Sequence, residues 1–261
     1  MMSARRARAA ALVAALACAA PLVLAPGAPA LAADERKPTP TTKLKKNQAV
    51  LADDWAQRGV RSIAVMPVRM LDGDEQALAL TRRALENALA DRGFKLLGGA
   101  SILSTADRGG ATPALEAATK AFDAGVPLDT ASTAALRGAL PTHALLMTNL
   151  RQWKRYVVDE YTRGASFTEV GVDVGMFSLA DGQMIWRGSF LEKMDGPYNE
   201  PSRGDQDVRD PGRNSKATAA LEPPLFEEVL DKLMLRVAGT LPKPAASAPA
   251  APAAPATPAP K

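Results

Sequence analysis

Side-chain chemistry in this sequence would have to begin at His143, the one histidine among 261 residues, with serines and carboxylates around it. Nucleophilic catalysis of the Ser–His kind needs a serine on an exposed turn within reach of the ring. The sequence contains no G-x-S-x-G and no S-x-x-K, and His143 stands directly before the apolar run ALLM. It therefore reads as a structural residue at the entry to a strand. A zinc centre wants three or four His, Cys or carboxylate ligands, and neither G-x-x-x-x-G-K nor G-x-G-x-x-G is present to cradle a phosphate. Glu169 and Asp173 share one strand face but lie roughly 13 Å apart, wider than the roughly 5–10 Å of glycoside hydrolysis. Arg203-Gly204-Asp205 sits in a Pro/Gly-rich loop whose composition makes the tripeptide a chance one. The residue types point away from an enzyme, and they imply no cofactor and no metal. Four aromatics remain, Trp153, Tyr156, Tyr161 and Phe167, spaced around a hairpin whose tip falls near DEYTRG. They read either as cross-strand packing or as a contact surface for a partner or a glycan.

The elements that would position these residues follow from periodicity. VRSIAVMPV (60–68) is a short β-branched run with the length of a buried strand. Leu78, Arg82, Leu85 and Leu89 then recur every three to four residues with alanines widening the face, which predicts an amphipathic helix, with Asp72 and Glu75 as a capping pair and Gly93 as its stop. FKLLG (94–98) supplies the next strand, so the segment is a βαβ unit with a parallel pair. Two further helices are expected over Thr112–Ala124 and Asp129–Ala139. THALLMTNLRQWKRYVV opens a third strand. SFTEVGVDVGMFSL alternates, with Val170, Val172, Val174 and Met176 on one face and Glu169, Gly171, Asp173 and Gly175 on a wet one. Asp181-Gly182 is a two-residue hairpin signal before QMIWRGSFLEK, where Trp186 reads as core. A last helix opens near Pro223-Pro224, with Phe226, Val229, Leu230, Leu233 and Val237 on one face. The order β-α-β-α-α-β-β-β-α predicts a single α/β domain with a mixed sheet, a βαβ unit followed by an antiparallel three-strand meander, covered by helices.

Residues 1–32 have the form of an export signal, with Arg5, Arg6 and Arg8 before a proline-broken apolar run, and 33–48 read as a polar linker. The folded part is expected over 49–240, with a mobile loop at 195–222 and a Pro/Ala-rich disordered tail at 241–261. Three of the four net positive charges lie in the signal, which leaves +1 and gives no support for a nucleic-acid partner. Cys18, the only cysteine, reads two ways. AALAC offers a lipid attachment point, hence an outer-membrane anchor. A cut after Ala30-Leu31-Ala32 would instead remove it and leave a soluble periplasmic protein. Either way the folded part has no cysteine and must be held by packing.

The segments RSIAVMPV, TRRALENALADRGFKLL, LRGALPTHALLMTNLRQWKRYVV and VDVGMFSLADGQMIWRGSF together resemble a family of bacterial envelope lipoproteins. The fold of that family is similar to the amino-terminal domain of TolB, with CsgG and the penicillin-binding-protein activator LpoB more distant. The pattern is a first strand ending in Pro, a helix closing on RGF and a hairpin running from Asp181-Gly182 to Trp186, and it covers about Val60 to Leu191. The resemblance implies a non-enzymatic envelope component, an accessory or adaptor acting through an envelope protein partner, often anchored to the outer membrane and often a homo-oligomer. The alternative is a module that binds cell-wall glycan or a secreted polymer.

Overall fold

The computed structural model describes residues 44–70, 74–159, 162–199 and 222–244. Cys18, Tyr161, the Arg203-Gly204-Asp205 tripeptide, the signal and the Pro/Ala tail beyond Pro244 lie outside the described residues, as does Asp72; Leu241, read as the start of that tail, is instead fully buried in the core. The first elements are two that periodicity does not reveal, strand β1 (Gln48–Leu51) and helix α1 (Trp55–Arg58). Four residues are too few to establish a period. β2 (Ser62–Val65) follows, sending Ile63 and Val65 into one core and Ala64 into the other. All three are fully buried, as in a strand covered on both faces.

Helix α2 spans Glu75–Asp91. Its cap is Asp74, which accepts from the N–H of Gln76 and Ala77, and not the expected Asp72. Its buried stripe is Ala77, Thr81, Leu85, Ala88 and Leu89. Leu78 is half-buried and Arg82 exposed, so the face is turned from the leucine spacing because alanines fill the close approach to the sheet. The helix ends as predicted at Gly93 (φ +98°), where the Phe94 N–H reaches back to the Leu89 carbonyl. β3 (Lys95–Leu97) pairs parallel with β2, Ile63 opposite Leu96, completing the βαβ unit.

Three helices cross back over the other face. α3 (Gly99–Arg108) is unexpected from its small polar composition, whereas α4 (Thr112–Ala124) and α5 (Thr130–Ala139) match the prediction. α4 has Pro113 in its first turn and Gly125 in the left-handed region, and Asp129 caps α5 through the Ser132 N–H at 2.8 Å.

β4 (Ala144–Tyr156), β5 (Gly164–Ser178) and β6 (Met184–Asn199) form the antiparallel meander, and α6 (Phe226–Gly239) closes the fold. β6 takes in residues 195–199, so strand replaces the first part of the expected loop, and 200–221 lie outside the described residues. The turn from β5 to β6 is longer than two residues. Asp181-Gly182 sits inside it, with Gly182 at φ +74°, and the ladder resumes at Phe177 opposite Met184.

The six strands stand in the order β1-β6-β5-β4-β2-β3, with β2 parallel to both β3 and β4 and the rest antiparallel. Val170, Val172, Val174, Met176 and Trp186 pack with α2 and α6 on one face. Ala64, Leu145, Met147 and Phe177 pack with α3, α4 and α5 on the other. The wet face expected of β5 is therefore wet only in part. Gly175 is buried there, its absent side chain replaced by the Phe122 ring of α4.

Candidate functional site: the distal end of the long hairpins

Length decides what stays uncovered. β5 and β6 have 15 and 16 residues, about 50 Å at roughly 3.3 Å per residue. α2, the longest helix with 17 residues, reaches only about 26 Å at 1.5 Å per residue. The three strands consequently run on past the helical layers. Beyond Leu150, Val172 and Phe190 they form a three-stranded extension whose two faces differ.

One face is closed by α6 and the residues before it. Trp153 stacks on Phe226, ring centroids 3.8 Å apart and 7° from parallel. Thr168 Oγ1 donates to the Pro224 carbonyl at 2.5 Å and Arg155 to the Pro223 carbonyl at 3.3 Å. Glu192, its side chain 6 % exposed, takes Lys232 at 2.8 Å and Arg236 at 2.6 Å from successive turns of α6.

The other face is open. Tyr156 stacks on Phe167 at 5.2 Å, and the ammonium groups of Lys193 and Lys154 lie 4.3 and 5.4 Å from the Phe167 centroid. Arg151, at a bulge between Leu150 and Gln152, reaches Asp173 at 2.8 Å and the Ser189 hydroxyl at 2.7 Å. Beside it is a concave space of about 540 Å³ lined by Leu44, Lys46, Gln152, Glu169 and Leu191. Gly171 is on its floor, where a β-carbon would come within 2.7 Å of Leu191. The fold thus brings Tyr156 and Phe167 together and sets Trp153 on the opposite face. Glu169 and Asp173 do share the open face as read from the sequence, with Asp173 engaged by Arg151 and Glu169 opposite Lys154 and Lys193 in register.

The remaining candidates have other partners. His143 Nδ1 lies 2.6 Å from the Ser62 hydroxyl, which also accepts from the His143 backbone N–H at 3.1 Å. The contact ties together the starts of β2 and β4. Among the described residues no group of three His, Cys, Asp or Glu could hold a metal ion, and no helix is long and apolar enough to cross a membrane. Sequence reasoning missed an ion cluster at the opposite, proximal end, where Arg58 meets Asp54 at 2.6 Å and Asp181 at 2.7 Å. The Arg58 hydrogen bond holds the Asp54 carboxyl below its usual range. For Asp181, burial acts upward, and bonds from Arg58, Ser178 and the Gln183 N–H more than offset it, leaving that carboxyl lowered too. Both carboxylates raise the Arg58 guanidinium, Asp54 chiefly. Asp54 and Arg58 stand four residues apart, a spacing the sequence does show, but Asp181 lies 123 positions beyond Arg58 and no local pattern announces it.

No family model matches the chain, and no curated protein matches its sequence. Solved bacterial structures do resemble it in shape. The lipoprotein GNA1162 from Neisseria meningitidis is 14 % identical with a TM-score of 0.37, the match covering 61 % of this chain and 94 % of that one. A PelC dodecamer from Paraburkholderia phytofirmans gives 15 %, 0.35, 72 % and 96 % in the same order. The LpoB C-terminal domain from Salmonella enterica gives 15 %, 0.30, 54 % and 86 %. At these TM-scores the likeness transfers no activity.

Proposed function

We propose that this chain is an exported component of the bacterial cell envelope, without catalytic activity, that works as an adaptor or assembly factor through protein contacts. It belongs on this reading with the envelope lipoproteins of TolB-like fold. Cys18 either carries a lipid or leaves with the signal. The observation that supports it is the distal extension: three strands that outrun their helices, where Tyr156, Val157 and Tyr198 are exposed together with Leu225 at the start of α6. Those are four of the seven large exposed hydrophobics among the described residues, gathered at one end. Interfaces are enriched in such aromatics and in arginine. Charge favours a protein over an anionic membrane. Arg151, Lys154, Arg155, Arg163 and Lys193 stand near Asp159, Glu169, Asp195 and Glu222, so the end is mixed in sign.

The test is a photo-crosslinking residue at Val157 in the native host. A stoichiometric envelope protein captured there, and lost when the probe is moved to the exposed Leu103 on α3, is the expected result. Capture of nothing by Val157 sinks the reading. A second reading, a glycan-binding module, draws on the Tyr156–Phe167 stack beside the polar groove. Retention of the purified protein on washed peptidoglycan, abolished by Phe167→Ala, would favour it. Light scattering of the purified chain reads whether it forms a homo-oligomer.

A further inference from the structure

Every backbone N–H and C=O of a strand needs a partner or water. β4 has one on both sides only as far as Leu150, whose N–H donates to the Arg69 carbonyl at 2.7 Å. From Gln152 to Tyr156, past the bulge at Arg151, its inner side pairs with β5. Its outer edge meets no other strand among the described residues. The edge of β6 at the same height is shielded. The Leu191 N–H is taken by Asn47 Oδ1 at 2.7 Å, and Pro197 has no N–H to offer. β4 carries neither device.

Its edge reads Arg151-Gln152-Trp153-Lys154-Arg155-Tyr156, three cations and no anion. Arg151 is already held by Asp173. Lys154 pairs in register with Glu169 on the open face, while Arg155 lies on the α6 side and, among the described residues, has the Pro223 carbonyl and a 3.9 Å contact to Glu222. The edge then runs into Tyr156 and Val157, 42 % and 59 % exposed. Two copies paired antiparallel along this edge would set cation against cation, which is destabilising. A strand with neighbouring carboxylates would meet Lys154 on one face and Arg155 on the other, because its own side chains alternate.

We infer that the outer edge of β4, Arg151–Tyr156, accepts an extended acidic peptide segment of a partner protein as an added strand. This rests on the adaptor reading and names the chemistry of its partner. The test uses the full exported chain and three synthetic decapeptides: alternating Glu–Thr, alternating Lys–Thr, and Glu–Thr with every second backbone amide N-methylated. The Glu–Thr peptide should bind and slow hydrogen exchange at 151–156. N-methylation should abolish binding, and the Lys–Thr peptide should bind roughly tenfold more weakly, with the gap narrowing as salt rises. The double variant Lys154→Glu/Arg155→Glu should reverse the preference, and because both side chains are exposed it retains the fold. Equal binding of the N-methylated peptide, protection at another strand, or no binding overturns the inference. A partner captured at Val157 in the native host alongside any of those results leaves the adaptor reading standing. Strand addition in vitro with no partner captured removes the adaptor reading alone.

Discussion

Glu192 offers the sharpest test of how the distal sheet is held to α6. Its carboxylate is 6 % exposed, while Lys232 and Arg236 are 57 % and 42 % exposed. Deleting the two sides of this cluster should therefore have unequal consequences. With Lys232→Met/Arg236→Met, a buried carboxylate is left without a counter-charge. That costs about 3–5 kcal/mol in fully buried pairs, and the half-exposed cations place this case near the lower figure. With Glu192→Leu, the two cations return to water and a leucine takes the site beside Val170, its partner in register. The cost should be below about 1 kcal/mol or reverse sign. The triple variant should lie within about 1 kcal/mol of the parent. Urea unfolding of all four proteins, with unchanged slopes, gives the order. The double variant should also melt roughly 10 °C lower, at about 2–4 °C per kcal/mol for a fold of this size. If Glu192→Leu destabilises as much as the loss of both cations, the carboxylate is not desolvated in the way its burial indicates, and the reasoning fails.

Three further outcomes are expected. Gly175→Ala should cost about 1–3 kcal/mol in urea unfolding, because its β-carbon would fall 2.6 and 2.9 Å from Phe122 ring atoms; Phe122→Leu in the same chain should recover part of it. Phe226→Ala should lose about 1–2 kcal/mol and shift tryptophan emission to the red, since Trp153 loses its stacking partner while Trp55 and Trp186 stay buried. For the Arg58 cluster, the Asp54 and Asp181 carboxyls lie below their usual range in the folded state, so their contribution is complete above the ordinary aspartate value near 4 and fades as pH falls through the lower folded value. The stability difference between the parent and Asp181→Asn should accordingly be flat from about pH 5 to 8 and shrink toward pH 3; a difference that grows on acidification contradicts the ion pairing of the cluster.

Where the sequence is legible, the reason is length and period. β5 alternates for long enough to betray which residues share its helix-covered face, and α4 and α5 announce their ends through Pro113, Gly125 and Asp129. The failures are equally physical. α3 carries Ile102 and Ala106 inward, but small residues elsewhere hide the period. In α2 Leu85 and Leu89 are buried as their spacing predicts, whereas Ala77 and Thr81 complete the contact where Leu78 and Arg82 were expected, because a close helix–sheet approach favours small side chains. The aromatic cluster is half legible. Spacing places Tyr156 and Phe167 on adjacent strands. The bulge at Arg151 shifts the register between Leu150 and Gln152, and that one extra residue decides which face each later side chain takes. Trp153 goes to α6 and Tyr156 to solvent for this reason, and no local pattern signals a bulge.

The position of the open surface also follows from the topology. In open α/β sheets, ligands enter at the carboxyl ends of parallel strands where the chain order reverses. Here that point lies after β2, between β3 and β4. It is filled. The chain leaving β2 continues alongside β4, the Arg69 N–H donating to the Thr148 carbonyl at 3.1 Å. The Arg69 side chain is then held by Asn149 Oδ1 at 2.7 and 3.0 Å and by Asp123. β4 itself does not turn into a helix there but runs on into the hairpin. On the β4 side that crevice is thereby exchanged for a longer strand. The contact surface proposed above lies further out, on the edge and face of a sheet that its helices are too short to cover. Arg69→Ala tests this exchange: it should loosen exchange protection at Thr148–Leu150 while leaving a partner captured at Val157, whereas loss of both would place the contact surface at the switch point instead.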